Sequence, residues 1–182
     1  MSRFAADWLA LREPHDRAAR SGALAGRFAK ALGPAPRLVD LGCGTGANLR
    51  WLGPRLAPGQ RWLCLDRDRD LLARAEAALD GWRAEVGWRG EVRFEALDLA
   101  IGSDSLALDG VAVTASALLD LASAAWLDAL AARLRRSPVL IALSFDGRLA
   151  WQPALAEDER VRARFLRHQR RDKGFGPALG PQ

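Results

Sequence analysis

The sequence predicts a single doubly wound α/β domain built on a mostly parallel sheet. Five short apolar or alternating segments have the pattern of strands: residues 37–41, 61–66, 91–97, 111–115 and 138–145. Segments with helical periodicity separate them, and a glycine-rich turn follows the first strand. Strands that alternate with helices are joined by right-handed crossovers, which make the strands parallel.

Composition is typical of a one-domain globular protein. The 182 residues are 49% hydrophobic, which suffices for a sizeable core. No apolar run approaches the roughly 20 residues of a membrane span, and the N-terminus lacks the apolar centre of a signal peptide, so we expect a cytoplasmic protein without a membrane partner. The two cysteines, Cys43 and Cys64, have no metal-binding spacing, and no metal is expected. The net charge of +5 favours anionic partners.

Residues 1–36 are predicted to form an N-terminal helical cap of two helices. The first is expected over residues 1–13. Its apolar residues have helical spacing: Phe4, Trp8 and Leu11. Proline lacks an N–H and clashes with the preceding turn, so Pro14 should end this helix. The second helix should begin at Asp16, a residue type that favours N-caps, and run to Leu32.

Residues 37–148 form the predicted core. The helix after the glycine turn should be short, because Gly53-Pro54 breaks its pattern. A longer helix is expected over residues 68–80, followed by a loop over residues 81–90 that carries two tryptophans. Ser123 is predicted to cap a helix after the fourth strand.

The remainder, residues 149–182, is predicted to hold one basic helix over residues 157–169 and a tail rich in glycine and proline. Six arginines and one lysine lie between Arg160 and Lys173. They are interpreted as a solvated helix face, as an anion-binding lid over a pocket, or as a nucleic-acid site. A nucleic-acid partner is disfavoured, because no aromatic-and-basic RNA motif accompanies them.

The glycine turn carries the strongest functional signal. Three glycines alternate with small residues after the first strand: Gly42, Gly44 and Gly46. Glycine adopts positive φ without strain, and the N–H groups that begin the next helix face any ligand there. The segment from Gly42 to Ala47 also fits the dinucleotide fingerprint Gly-x-Gly-x-x-Gly/Ala. The preceding Asp40 favours a ligand with an ammonium group, because a carboxylate would repel a pyrophosphate.

The turn closely resembles the first motif, Asp-x-Gly-x-Gly-x-Gly, of the class I S-adenosylmethionine-dependent methyltransferases. The matching residues are Asp40, Gly42, Gly44 and Gly46. The resemblance covers residues 37–145 and implies a Rossmann-like fold with S-adenosylmethionine as the cofactor.

Acidic residues after the next two strands complete the expected cofactor site. Asp66 lies 20 residues after Gly46, where a carboxylate can accept both hydroxyls of a ribose; an exposed strand-end aspartate is the alternative. The resemblance implies that Asp98 binds the adenine amino group and that Leu99 packs on the ring, although aspartate is also common in turns. Ser116 is expected to serve cofactor or substrate, or only to cap a helix. The predicted cofactor-binding residues are Asp40, Gly42, Gly44, Gly46, Asn48, Asp66, Arg67, Asp98, Leu99 and Ser116.

The resemblance implies methyl transfer to an unidentified acceptor, which we expect to be a small anionic or polar molecule. The Asn/Asp-Pro-Pro-Tyr/Phe motif of enzymes that methylate amino groups of bases or glutamine is absent after the fourth strand. If the acceptor loses a proton, His15 and His168 are the candidate bases. Two alternatives stay open: a nicotinamide-dependent oxidoreductase, which Asp40 and Asp98 disfavour, and a catalytically silent S-adenosylmethionine-binding module.

The C-terminal part departs from the family pattern. Sheets of this family usually have about seven strands, and no strand-like run follows Gly147. We therefore expect five strands in the order 3-2-1-4-5, without the final two, and a fifth strand at the sheet edge. Either residues 150–182 fold back over that edge, or the chain is a truncated form of a longer enzyme with weak or no activity; the pattern favours truncation. Two segments, residues 8–14 and 168–177, resemble an uncharacterised bacterial subgroup of the family.

Overall fold

A computed structural model describes residues 5–143 and 145–180 of the chain. Within these residues five parallel strands form one sheet in the order β3-β2-β1-β4-β5, which confirms the predicted Rossmann-like, doubly wound fold. The strands are β1 (Arg37–Leu41), β2 (Arg61–Asp66), β3 (Glu91–Ala96), β4 (Ala112–Ser116) and β5 (Val139–Ala142). The described part of the chain has no sixth strand, and β5 lies at the sheet edge as predicted.

Helices pack on both faces of the sheet. They are α1 (Ala6–Ala19), α2 (Gly22–Ala31), α3 (Ala47–Leu52), α4 (Arg69–Val86), α5 (Leu99–Gly102), α6 (Ala124–Arg133) and α7 (Asp158–Gln169). The helix after the glycine turn is short, as predicted, and gives way to a 3₁₀ turn that contains Pro54. Ser123 caps α6 as predicted, because its Oγ accepts a hydrogen bond from the Trp126 N–H at 3.3 Å.

Alternate residues of the central strands enter two separate cores. Leu38 of β1 packs in the core on one face of the sheet, with Phe28 of α2 and Trp51 of α3. Val39, the next residue, packs in the core on the other face, with Leu130 of α6. Successive strand residues point to opposite faces, so a strand that is covered on both sides is apolar almost throughout. The carboxyl ends of the strands therefore lie between two layers of helices, where open α/β sheets bind their ligands.

Helix α1 continues through Pro14, so the predicted break at this residue is wrong. The proline removes one backbone hydrogen bond. The side chains of Arg12 and Asp16 form an ion pair across it, with Nε and Oδ2 2.9 Å apart. Glu13 pairs with Arg50 of α3, which fixes this turn of α1 against the core. These contacts hold the helical geometry that local sequence alone disfavours.

Asp16 lies inside α1 and does not begin the second helix, contrary to the sequence prediction. Helix α2 starts instead after Ser21, whose Oγ accepts a hydrogen bond from the Leu24 N–H at 3.2 Å. The expected apolar spacing of the first helix includes Phe4, which lies outside the described residues, and Trp8, which is 53% exposed. The prediction failed because the Asp16 carboxylate is already engaged by the Arg12 side chain of its own helix.

The loop predicted over residues 81–90 is wrong for its first half, because α4 continues to Val86. Trp82 is buried on this part of the helix and packs against Trp88, with ring centroids 5.2 Å apart. Burial of a large apolar side chain contributes about 1.5–3 kcal/mol, which outweighs the cost of about 1 kcal/mol for glycine inside a helix. The helix ends at Gly87, whose φ of +69° is the left-handed conformation typical of a C-terminal cap.

Strand β5 is shorter than predicted and partly exposed. The sequence predicts a strand over residues 138–145, of which Ser144 lies outside the described residues. Val139 is 41% exposed and Leu143, just beyond the strand, is 58% exposed. The described residues therefore cover this apolar strand only in part.

Ala117, the residue after β4, is expected to tolerate replacement by glycine with a gain in stability. Its φ is +52°, and among the described residues it is the non-glycine position with a positive φ. This conformation costs an L-residue about 1–2 kcal/mol, part of which is offset by the greater unfolded-state entropy of glycine. We expect Ala117→Gly to raise the free energy of unfolding by about 0.5–1 kcal/mol in denaturant titrations. The control Ala115→Gly, in the buried and regular strand, should lower it; equal losses at both positions would contradict the prediction.

Candidate functional site

A cavity of about 940 Å³ lies at the carboxyl ends of the strands. Eight of the ten predicted cofactor residues line it: Gly42, Gly44, Asn48, Asp66, Arg67, Asp98, Leu99 and Ser116. The other two do not, because Asp40 is buried beneath the cavity and Gly46 forms the N-cap of α3. The volume is within the range of small-molecule sites, which are clefts of about 300–1,000 Å³.

The glycine turn connects β1 to α3 below the cavity. Its glycines have left-handed φ values of +66° at Gly42, +53° at Gly44 and +81° at Gly46. The left-handed conformation favours glycine at Gly42, and a Cβ there would also stand 3.1 Å from the Leu118 side chain, which would have to shift. The Cys43 N–H donates a hydrogen bond of 2.9 Å to the Leu65 carbonyl, which ties the turn to β2.

Asp66 ends β2 and holds the turn from the other side. Its Oδ2 accepts a hydrogen bond from the Gly44 N–H at 2.8 Å, and its Oδ1 accepts one from the Asp68 N–H at 2.9 Å. Each carboxylate oxygen has two lone pairs, so both oxygens can also accept hydrogen bonds from ligand hydroxyls. Asp66 therefore links the glycine turn to the start of α4 while it lines the cavity.

Asp40 is the centre of a buried polar network beneath the cavity. Its Oδ1 accepts hydrogen bonds from Asn48 Nδ2 and from Thr114 Oγ1, both at 2.8 Å, whereas Oδ2 has no hydrogen-bond partner among the described residues. Complete burial outweighs these hydrogen bonds and raises the pKa of Asp40 to about 6, so the carboxylate is mostly ionised at neutral pH. Asp40 does not line the cavity itself, but its hydrogen-bond partner Asn48 does.

Arg20 is a cavity residue that no local sequence pattern identifies. It directly follows α1, and its half-buried side chain extends over the ends of β1 and β4. Its Nη1 donates a hydrogen bond to Asn48 Oδ1 at 3.1 Å, and its Nη2 donates one to Ser116 Oγ at 2.8 Å. The guanidinium carbon lies 5.4 Å from the centroid of the Trp51 ring, within the range of a cation–π contact. Helical periodicity alone would not distinguish Arg20 from its neighbour Arg17.

Asp98 and Leu99 follow β3 at the far end of the cavity. The Asp98 Oδ1 accepts a hydrogen bond from the Ala100 N–H at 3.0 Å, so this residue is the N-cap of the short helix α5 as well as a lining residue. Leu99 is buried, and its carbonyl accepts a hydrogen bond from Trp126 Nε1 at 2.9 Å. These contacts fix a carboxyl group and an apolar side chain next to each other.

The end of α7 and the chain after it form part of the cavity rim. They supply polar, charged and aromatic side chains there: His168, Gln169, Arg171, Asp172, Lys173 and Phe175. The Lys173 Nζ lies 3.3 Å from His168 Nδ1, and Phe175 packs edge to face on Trp126 with ring centroids 5.0 Å apart. Of the two candidate bases, His168 is thus at the cavity, whereas His15 is exposed on α1 and does not line it. The placement disfavours His15 as a base.

Three further observations concern metal binding, membrane helices and the cysteines. Within residues 5–143 and 145–180, no group of three or more His, Cys, Asp or Glu side chains could hold a metal ion. No helix in the same ranges is long and apolar enough to cross a membrane. Cys43 and Cys64 are both buried as free thiols.

Comparison with known proteins gave matches among solved structures alone, since no family model and no curated protein matches the chain. An O-methyltransferase family protein from Burkholderia thailandensis has a TM-score of 0.49 and 19% identity over 93% of this chain and 47% of that one. Precorrin-6y C5,15-methyltransferase from Geobacter metallireducens GS-15 has a TM-score of 0.46 and 19% identity over 81% and 69%. A SAM-dependent methyltransferase from Geobacter sulfurreducens, in complex with S-adenosyl-L-homocysteine, has a TM-score of 0.46 and 23% identity over 70% and 47%.

The chain therefore spans little more than two thirds of the precorrin enzyme and about half of the other two.

Proposed function

We propose that the protein transfers a methyl group from S-adenosylmethionine to an acceptor bound in the same cavity. One observation carries the proposal: the glycine turn, Asp66 and Asp98 lie at the ends of the neighbouring strands β1, β2 and β3, and all line one cavity. Adjacent strands are about 4.8 Å apart, so these groups span roughly 10 Å. This order suits a cofactor with methionine, ribose and adenine portions in a row.

Each portion of the cofactor has a matching group in the cavity. The Asp66 carboxylate has lone pairs for both ribose hydroxyls. Asp98 offers a carboxylate to the adenine amino group, and the neighbouring Leu99 offers an apolar surface to the ring. Asn48, at the start of α3, and Ser116, at the end of β4, are placed for the methionine portion.

Methyl transfer from a sulfonium requires mainly alignment of the acceptor atom, the methyl carbon and the sulfur. Such positioning supplies effective molarities of roughly 10⁵–10⁸ M. The acceptor lone pair forms the new bond to the methyl carbon, the carbon–sulfur bond breaks, and S-adenosylhomocysteine leaves. An acceptor that must lose a proton has His168 as the candidate base at the rim.

A nicotinamide-dependent oxidoreductase is the less favoured alternative. Its pyrophosphate would lie on the glycine turn, near the buried Asp40 carboxylate. With a pKa of about 6, that carboxylate is mostly ionised at neutral pH and would repel the phosphates. A catalytically silent binding module would share the cofactor site, and turnover assays separate it from an enzyme.

S-adenosylmethionine and S-adenosylhomocysteine are expected to bind more tightly than NAD. Isothermal titration of the purified protein with each of the three ligands tests this. The reason is electrostatic, since both methionine-containing ligands carry an ammonium group where NAD carries a pyrophosphate dianion near the Asp40 carboxylate. Tighter binding of NAD would contradict the methyltransferase proposal.

We further propose that the acceptor is a small anionic or polar molecule. Arg171 and Lys173 place two cations at the rim, and Leu118, Leu121 and Phe175 supply apolar surface beside them. This placement supports the anion-binding lid among the three interpretations of the basic C-terminal segment. A nucleic-acid acceptor stays disfavoured. The three-part division of the chain and its cytoplasmic location stay predictions.

A further inference from the structure

Arg20 differs from the other arginines at this end of α1 in the partners that its guanidinium has. Arg12 and Arg17 pair with carboxylates of their own helix. Within the described residues, Arg20 has no carboxylate within ion-pair distance, and its hydrogen bonds go to two neutral oxygens, Asn48 Oδ1 and Ser116 Oγ. A guanidinium has five N–H donors in a rigid fork, so donors are left for a group inside the cavity.

The surroundings of Arg20 fix the guanidinium in place before any ligand arrives. Asn48 and Ser116 accept hydrogen bonds from two of its nitrogens, and its Cζ lies over the Trp51 ring, 5.4 Å from the ring centroid. Asn48 is in turn held by the buried Asp40. A cation that is already oriented loses little conformational freedom when it binds an anion. Such a fork matches the two oxygens of a carboxylate better than a single-point anion.

The position of Arg20 along the sheet indicates which part of the cofactor it meets. Asp98 follows β3 and Asp66 ends β2. The partners of Arg20 are Asn48, in the helix that follows β1, and Ser116, at the end of β4. Arg20 is therefore at the end of the cavity opposite the expected adenine position. The group of S-adenosylmethionine farthest from the adenine is the aminocarboxyl end of its methionine portion.

We propose that Arg20 binds the carboxylate of the methionine portion of S-adenosylmethionine and S-adenosylhomocysteine. The inference rests on the proposed function, because it takes the cofactor from there. Arg20 would form a forked pair of charged hydrogen bonds with the carboxylate while Asn48 and Ser116 keep the guanidinium in place. Helix α1 is then part of the cofactor site and not only a cap on the fold.

The test compares two ligands that differ only in the carboxylate: S-adenosylhomocysteine and its decarboxylated analogue. Titration of the wild-type protein should show at least tenfold tighter binding of S-adenosylhomocysteine, as expected for charged hydrogen bonds. Arg20→Gln should abolish this preference and bind the decarboxylated analogue about as well as wild type does. Arg20→Lys should keep a reduced preference, because an ammonium replaces the fork with a point charge.

The control is Arg17→Gln, three residues earlier, which removes an arginine that does not line the cavity. It should keep the wild-type preference, and thermal unfolding of all variants checks that they fold. If Arg20→Gln does not fold, Arg20→Lys carries the test through the same ratio of affinities.

Equal weakening of both ligands by the Arg20 substitutions would show a merely structural role and overturn the proposal. An unchanged preference for S-adenosylhomocysteine in the Arg20 variants would overturn it too. Arg20 would then bind the acceptor or stabilise the fold. If wild type binds neither ligand, the proposed function fails together with this inference. If wild type binds both and only the effect of Arg20 is missing, the proposed function stands without it.

Discussion

Asp66→Ala is expected to weaken the binding of S-adenosylmethionine by about 1–3 kcal/mol, or roughly 5- to 150-fold. The substitution leaves the ribose hydroxyls without their acceptor. It also removes the carboxylate that accepts hydrogen bonds from the Gly44 and Asp68 N–H groups, so the glycine turn loses a support. Both effects act on the same ligand, and we therefore expect a loss near the upper end of this range. Isothermal titration of wild type and variant measures it.

Asp80→Ala provides the matched control for Asp66→Ala. This aspartate is exposed on α4, away from the cavity, and its side chain meets only Arg83 among the described residues, at 3.5 Å. Its removal should leave the affinity unchanged within error. An unchanged dissociation constant for Asp66→Ala, in a variant that unfolds like wild type, would place Asp66 outside the cofactor site.

The contribution of Asp40 to the stability of the protein is expected to become less favourable as the pH rises from about 4 to about 7. The pKa of this residue is about 6 in the folded protein against 3.8 without the fold. Between these values the folded protein keeps a proton that the unfolded chain releases, so raising the pH favours unfolding. The contribution of Asp40 is fully present below about pH 4 and is lost as the pH passes about 6. A shift of about two pKa units corresponds to a loss on the order of 3 kcal/mol, measurable by denaturant titration at each pH.

Asp40→Asn isolates this effect from the other carboxylates. An asparagine oxygen in the place of Oδ1 still accepts from Asn48 Nδ2 and Thr114 Oγ1, but the side chain does not titrate. The difference in unfolding free energy between wild type and variant should therefore shift in favour of the variant across this pH window. Parallel curves for the two proteins would show that Asp40 does not titrate there.

The strands were the most predictable part of the fold, because each carries a pattern that hardly depends on distant residues. All five were confirmed, with ends that differ by up to three residues. The errors occurred where packing outweighs local preference. Helix α4 continues past Gly81 because the burial of Trp82 stabilises it. Helix α1 continues through Pro14 because the ion pairs of Arg12 and Glu13 stabilise it.

The sequence by itself determined the features that depend on backbone conformation and strand position. Glycine is favoured where φ is positive, so Gly42, Gly44 and Gly46 indicate the turn directly. The acids Asp66 and Asp98 lie at the ends of their strands, and parallel strands bring all such ends to one edge of the sheet.

Only the tertiary structure decided which other side chains reach that edge. Arg20 meets Ser116, 96 residues away, and Asp40 meets Thr114, 74 residues away. The side chain of an arginine is long and flexible, so the partners of Arg20 depend on where the packing of α1 places its Cα atom. The position of α1 depends on contacts such as the ion pair of Glu13 with Arg50. The spacing of residues in the sequence does not predict contacts between residues so far apart.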